Sequence, residues 1–167
     1  CDAADILRGT SIGPDEFTLS VYPASTPIYM ELVKNGAEVI PIMSYNSYNL
    51  DTKFGKAQDF IKEIEEITGK KIIHTIQEAE PIGPKKITDI MVIAPCSGNT
   101  ISKLAYDIID TPATMAAKSH LRNNKPLVIA VSTNNGLGAN AESIGRLLYR
   151  RNYYFVPFKQ DNPITKP

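Results

Sequence analysis

The sequence has few cysteines, no excess of charge and no long apolar run. Its two cysteines, Cys1 and Cys96, stand far apart, which argues against a disulfide framework and against the spacing of a metal site. Basic and acidic residues number 18 each, so the basic surface of a nucleic-acid-binding protein is not expected. No apolar run approaches the roughly 18 residues needed to cross a bilayer.

Further absences narrow the class of protein. Residues 1–16 have neither the basic start nor the apolar centre of a secretory signal peptide, and the two distant cysteines fit a cytoplasmic protein. The patterns G-x-G-x-x-G and G-x-x-x-x-G-K-[ST] do not occur, so neither a dinucleotide fingerprint nor a P-loop is indicated. The 167 residues contain no internal repeat and are enough for one domain with a substantial core.

What the sequence does contain is an alternation of strand and helix patterns. The predicted strands are 17–21, 37–44, 71–76, 87–95, 126–132 and 153–158, and the predicted helices are 28–35, 54–68, 100–108, 112–121 and 141–151. This order predicts a three-layer, doubly wound α/β fold, flavodoxin-like or Rossmann-like, with a mostly parallel sheet. We expect a single domain over 1–167, with an N-terminal segment of open role at 1–16 and an exposed tail at 159–167.

Three predicted strands are followed by loops of small hydrogen-bonding residues, at 44–47, 95–100 and 132–136. In an open α/β sheet, ligands bind outside the carboxyl ends of the strands, and helix N-termini attract anions. Ordinary N-capping by Ser, Thr and Asn explains any one of these loops. Three of them at one edge favour a ligand site.

Several single residues admit two interpretations. Cys96 is either a thiol activated by a helix N-terminus or a small packing residue. His74 and His120 are more typical of structural or surface positions than of catalytic ones. The basic helix end at 146–151, with its three arginines, normally just opposes the helix dipole. The alternative is that it binds a phosphate or a carboxylate.

PCSGNT (95–100), followed by ISKLAYDIID (101–110), resembles the P-A-S-A-N-T segment of the homo-oligomeric flavin-containing cysteine decarboxylase superfamily. A longer resemblance, over residues 32–167, is to one family within it, the B subunits of bacterial dipicolinate synthase. The segments that carry it, in order and spacing, are KNGAEVIPIMSYN (34–46), DTKFGKAQDFIKEIEEITGKKII (51–73), EAEPIGPKK (78–86), MVIAPCSGNTISKLA (91–105), MAAKSHLRNNKPLVIAVSTNNGLGAN (115–140) and YFVPFKQDNP (154–163).

The resemblance implies a flavodoxin-like domain that binds FMN. Its implied activity is the oxidation of a dihydrodipicolinate-type precursor to dipicolinic acid during endospore formation. The implied partners are a nicotinamide-dependent A subunit, which would supply NAD(P), a small dicarboxylate substrate, and further copies of this chain in a trimer or larger assembly. The implied location is the cytoplasm of the mother cell of a sporulating bacterium.

The resemblance also implies roles for particular residues. Ser44 corresponds to a residue that holds the flavin phosphate, and Asn135 to an asparagine beside the substrate, which makes it the catalytic candidate. Where the superfamily has a glycine-rich turn after its first strand, this sequence reads FTLSVYPASTPIYM (17–30) without glycine. Ser20, Ser25 and Thr26 are candidates to bind the phosphate instead. The residues that correspond to the segment lining the isoalloxazine ring are Pro95, Cys96, Ser97, Asn99 and Thr100.

Two alternatives remain open at this stage. The missing glycine turn favours a non-catalytic partner subunit with an eroded flavin site. An FMN-dependent decarboxylase or prenyltransferase of the same superfamily is disfavoured, because the histidine that follows the start of the first helix in the decarboxylases and their methionine-rich lid have no counterpart here.

Overall fold

The computed structural model of the chain describes residues 16–20, for which only the backbone is considered, and residues 26–52 and 55–158. The predicted tail at 159–167 and the N-terminal segment up to residue 15 lie outside the described residues. The strands of the described ranges are β1 (Glu16–Ser20), β2 (Glu38–Ile42), β3 (Ile90–Ser97), β4 (Leu127–Ser132) and β5 (Tyr153–Phe155). The helices are α1 (Thr26–Lys34), α2 (Tyr45–Asn49), α3 (Ala57–Thr68), α4 (Ile76–Ala79), α5 (Ile82–Lys85), α6 (Gly98–Ala105), α7 (Pro112–Leu121) and α8 (Ala139–Leu148).

The strands form one parallel sheet in the order β2-β1-β3-β4-β5. Parallel strands need crossover connections, and the helices between them supply these. The order is that of flavodoxin-like sheets, in which the chain changes direction across the sheet between β1 and β3. The predicted doubly wound α/β fold is therefore confirmed.

Helices cover both faces of the sheet, which makes three layers. Along β3, Met91 and Ile93 pack into a core closed by residues of α4 to α8. Val92 and Ala94 pack into a second core with residues of α1 and α3. Successive strand residues point to opposite faces, so the continuous apolar run of β3 is what a strand buried on both faces requires.

Helix α3 shows how local sequence sets an element. Ile61 and Ile64 are buried against the sheet, while the side chains between them are charged. The Ala57 N–H donates to Asp51 Oδ1 at 2.9 Å, which satisfies a first-turn group of the helix. The helix ends at Gly69, which adopts the left-handed conformation with φ 67°. Glycine is favoured at this position because it has no Cβ, and the predicted end of the helix is confirmed.

The predicted strand at 71–76 is wrong. Ile73 makes a single bridge to Ile42 at the outer edge of β2: its N–H donates to Pro41 O and its carbonyl accepts from Met43 N, both at 2.9 Å. Strand pairing stops there because Thr75 forms a capping box that begins α4. The loops predicted around 44–52 and 78–86 contain the short helices α2, α4 and α5.

The strand predicted at 87–95 is shifted toward the carboxyl terminus, and Pro95 does not end it. The Ala94–Pro95 peptide is cis, and the register against β4 changes between Ile93 and Cys96. Proline has no N–H for a ladder, and this irregularity places Pro95 where the regular pairing is interrupted. β3 then continues to Ser97.

Candidate functional site

The carboxyl ends of β1 and β3 meet at the point where the strand order reverses. Ser20, the last residue of β1, is in register with Ile93 of β3, and β3 runs on to Ser97. The end of β3 therefore projects past the end of β1. In open parallel sheets, this crevice is where ligands bind.

Ser97 and Thr100 join the end of β3 to the start of α6. Ser97 is the N-cap, and its Oγ accepts a hydrogen bond from the Thr100 N–H at 3.4 Å. The two hydroxyl oxygens are 3.2 Å apart. Both residues thus have a capping role, and a hydroxyl in such a cap keeps further bonding capacity, since Ser97 is exposed and Thr100 is half-buried.

Asn99 is the most available side chain of this loop. It is exposed, and among the residues that the structure describes its amide has no hydrogen-bond partner. It stands in the first turn of α6, where backbone N–H groups carry partial positive charge. Pro95, at the entrance to the loop, is half-buried. An exposed amide and a helix N-terminus therefore stand next to each other at the end of β3.

Cys96 behaves differently from its neighbours. Its side chain is completely buried and packs in the same core as Ile93 and Ile101. Burial raises the pKa of the Cys96 thiol far above its ordinary value, because a thiolate would lose its hydration. Cys96 is a packing residue, and only its backbone borders the loop.

Asn135 lies in the loop after β4 and holds the start of α8. Its Oδ1 accepts from the Ala139 N–H at 3.3 Å, and its backbone carbonyl accepts from the Gly138 and Asn140 N–H groups at 3.2 and 3.1 Å. A backbone N–H can only donate, so the amide oxygen is the atom turned toward the helix. In the part of the chain that the structure describes, the NH₂ group of this exposed residue makes no hydrogen bond.

Asn140 is a site residue that sequence reasoning missed. Its Oδ1 accepts from Thr133 Oγ1 at 2.9 Å, and its Nδ2 donates to Gly98 O at 3.2 Å and to Ser102 Oγ at 3.3 Å. A Cβ at Gly98 would overlap the Asn140 amide oxygen. Asn140 thus ties the loop of Ser97, Asn99 and Thr100 to the loop of Asn135.

Ser44 stands at the same edge of the sheet but on the other side of β1. It is the N-cap of α2, where its Oγ accepts from the Ser47 N–H at 3.3 Å. Beyond it, the Tyr48 and His74 rings stack at a centroid distance of 4.0 Å and an angle of 9°. Between Ser44 and the β3 loop lies the backbone of Ser20, whose side chain is outside the described residues.

The two loops that Asn140 joins are chemically neutral. Residues 95–100 and 132–140 contain no ionisable side chain apart from the buried thiol. Residues with amides and hydroxyls suit the polar edge of a flat heterocycle, and the space beside Gly98 is filled by the Asn140 amide. The described residues therefore fit the ring end of a flavin. Residues 21–25, which follow β1, lie outside the described residues.

A flavodoxin-like strand order with a crevice at its switch point is the architecture of α/β flavoprotein domains, among other proteins. The comparison with family models agrees: residues 19–150 match the family described as Flavoprotein. None of the helices in the described ranges has the length and apolar character needed to span a membrane.

Similar proteins identify the branch. The B subunit of dipicolinate synthase from Bacillus subtilis (strain 168) is 47% identical over 165 residues, which cover 96% of this chain and 81% of that protein. The crystal structure of the corresponding B subunit from Bacillus halodurans C matches with a TM-score of 0.82 at 40% identity, covering 95% of this chain and 84% of the other. The chain belongs to the Flavoprotein family and, within it, to the family of dipicolinate synthase B subunits.

A more distant match shows the fold alone. Burkholderia xenovorans DmrB in complex with FMN, described as a cubic protein cage for redox transfer, has a TM-score of 0.64 at 14% identity. The match covers 88% of this chain and 91% of that one.

Proposed function

We propose that this chain is the FMN-binding B subunit of a dipicolinate synthase, active in the cytoplasm of the mother cell during endospore formation. With an A subunit, it oxidises a dihydrodipicolinate-type precursor to dipicolinic acid. The observation that carries the proposal is the 47% identity over 96% of the chain. The crevice at the carboxyl edge supports it, because its polar groups suit a flavin ring.

Each loop of the crevice has a distinct role in this proposal. The segment from Pro95 to Thr100 borders the isoalloxazine ring, with the Asn99 amide and the start of α6 donating to its polar edge. Ser44 and Ser20, at the ends of the two strands beside it, bind the phosphate end. Bound FMN supplies a hydride acceptor, and the substrate also releases one proton when its ring becomes aromatic.

In this proposal, Asn135 orients the substrate. The Asn135 oxygen is engaged by Ala139, so its NH₂ group donates to a substrate carboxylate. Asn140 positions this group relative to Asn99 by joining the two loops. Residues 95–100 and 132–140 supply no cation, although a dicarboxylate gains most from charged donors. We therefore propose that cations come from the A subunit or from a second copy of this chain in a homo-oligomer.

The test of the flavin site is the visible absorption spectrum of the purified chain after addition of FMN and desalting. We expect retained flavin bands in the native chain, and reduced retention in Asn99→Ala and Thr100→Ala. Asn35→Ala is the matched control: it removes an exposed asparagine bonded only within its own helix end, far from the crevice, and retains FMN.

The outcome that contradicts flavin binding is equally clear. If the chain stays colourless both alone and with its A subunit, the FMN assignment is wrong, and a non-catalytic partner role accounts better for the family membership. Light scattering of the chain and of its mixture with the A subunit checks the two proposed assemblies. Formation of dipicolinate from the dihydro precursor, followed with and without NAD(P), shows whether hydride reaches a nicotinamide on the A subunit.

A further inference from the structure

A cavity lies at the opposite edge of the sheet from the proposed flavin site. It has a volume of about 330 Å³ and is lined by residues of α6 and α7 and of the segment between them, by Arg150 and Arg151, which follow α8, and by Tyr153, the first residue of β5. Tyr153 is in register with Leu127, the first residue of β4. The cavity is therefore at the amino ends of the strands, whereas Asn99 and Asn135 are at the carboxyl ends.

The walls of this cavity concentrate positive charge in a chain that is neutral as a whole. Its lining contains one carboxylate, Asp107, and five cations: Lys103, Lys118, Arg122, Arg150 and Arg151. Two of the cations are already neutralised. Lys103 pairs with Asp110 at 2.8 Å, and Arg150 holds Asp107 through two hydrogen bonds of 2.8 and 3.0 Å.

Three cations of the cavity have no such partner. Within the described ranges of the chain, no acidic group pairs with Lys118, Arg122 or Arg151, and their side chains make no hydrogen bond. All three are exposed to solvent, so water screens their mutual repulsion, and an anion bound between them would lower it further. Arg122 and Lys118 come from the end of α7, whereas Arg151 precedes β5. Because the cations stand on two separate elements, a ligand with two separate acidic groups matches them better than one compact ion.

Apart from Thr114 and the Tyr153 hydroxyl, the rest of the lining is apolar. Leu104 is buried and Leu121 and Tyr153 are half-buried, and an aromatic ring beside leucines is a surface for a flat organic body. Sites for small organic ligands enclose roughly 300–1,000 Å³, and this cavity is at the small end of that range. A single-ring ligand fits it, whereas a dinucleotide does not.

We propose that this cavity is a second ligand site, which binds a small cyclic dicarboxylate between Arg122 and Arg151 with its ring against Leu104, Leu121 and Tyr153. Guanidinium groups bind carboxylates through paired hydrogen bonds, which suits this class of ligand. The site is independent of flavin binding. If the proposed function is right, the product of the enzyme belongs to the class of ligand that the cavity binds.

Isothermal titration calorimetry at low ionic strength tests the site, with dipicolinate and benzene-1,3-dicarboxylate as probes. We expect binding of both, at least about tenfold weaker binding of benzoate, which has a single carboxylate, and binding that weakens as salt is added. Arg122→Gln and Arg151→Gln should each weaken binding of the dicarboxylates by about tenfold or more. Arg146→Gln removes an arginine of α8 that is outside the cavity and should leave the affinity unchanged.

Asn99→Ala separates this site from the proposed flavin site. We expect it to retain less FMN and to keep dicarboxylate binding, so the two proposals fail independently. The cavity proposal is overturned if the dicarboxylates do not bind, or if the two cavity variants bind them as tightly as the native chain. It is also overturned if inorganic phosphate binds as tightly as the dicarboxylates, because the cavity would then be a plain cluster of cations without a place for the ring.

Discussion

The link through Asn140 makes the strongest prediction about the proposed site, because it can be broken from either side. Asn140→Ala removes three hydrogen bonds, to Thr133, Gly98 and Ser102. Each such bond contributes roughly 0.5–1.5 kcal/mol net, and the region is only half-buried, so water replaces part of the loss. We expect a free energy of unfolding lower by about 2 kcal/mol and, for a chain of this length, a Tm lower by about 4–8 °C.

Gly98→Ala attacks the same link from the other loop. The added Cβ would overlap the Asn140 amide oxygen, so Asn140 must leave its three partners. We expect a loss similar to that of Asn140→Ala, about 2 kcal/mol. In the double variant the obstacle is absent, and the total loss should stay near about 2 kcal/mol instead of reaching about 4 kcal/mol.

Equilibrium urea unfolding of the native chain, both single variants and the double variant measures this coupling. Asn35→Ala serves as the control, because its side chain bonds only to Glu31 in the preceding helical turn and should cost little. Simple addition of the two single effects would show that Gly98 and Asn140 act independently. A loss below about 0.5 kcal/mol in Asn140→Ala would refute the link itself.

Two further predictions concern the scaffold. In Gly83→Ala, the new Cβ would approach the Ser119 carbonyl oxygen of α7 to 2.6 Å, and we expect urea unfolding to show a free energy of unfolding lower by about 2 kcal/mol or more. In Gly145→Ala, the new Cβ meets nothing within 4 Å, and the variant should be more stable by up to about 1 kcal/mol. His120 is buried beside Thr88, with Nδ1 and Thr88 Oγ1 2.8 Å apart, and burial lowers the pKa of His120 from its ordinary value of 6.5. As the pH falls, the unfolded chain takes up the proton first, so the stabilisation from neutral His120 is complete above about pH 6.5 and decreases below it. The free energy of unfolding should therefore differ less between pH 7.5 and pH 5.5 in His120→Gln than in the native chain. An equal difference in the two proteins would contradict this role of His120.

The sequence predicts the layered architecture well because the signals for it are local and repeated. The apolar run of β3 implies burial on two faces, and the glycine at the end of α3 stops a helix that its own periodicity defines. The strand predicted at 71–76 has suitable residues but no neighbouring strand beyond β2, so only Ile73 pairs. The sequence places the end of this strand at Pro95, although β3 continues to Ser97. The irregular pairing that accommodates Pro95 depends on the register against β4, which the local sequence does not show.

The candidate site is only partly predictable for the same reason. Ser97, Asn99 and Asn135 follow strand ends and are therefore visible as a polar edge. Asn140 sits in the same kind of loop and looks like one more capping residue. Its function depends on Gly98, which lies 42 residues away in sequence, and no spacing rule connects them. Cys96 shows the converse, because its place in the motif suggests reactivity and its side chain belongs to the core.

The single bridge of Ile73 on β2 affects how copies of this chain can associate. Exposed edge strands offer free N–H and C=O groups that recruit strands of other molecules and lead to aggregation. On β2, Ile73 occupies the groups of Pro41 and Met43 at the outer edge, and Pro41 itself has no N–H to offer. At the other edge, β5 is three residues long. Neither edge strand therefore offers many free backbone groups for pairing with the sheet of a second molecule. We expect copies of this chain to associate through side chains of their helices and loops, which permits closed assemblies and disfavours fibres.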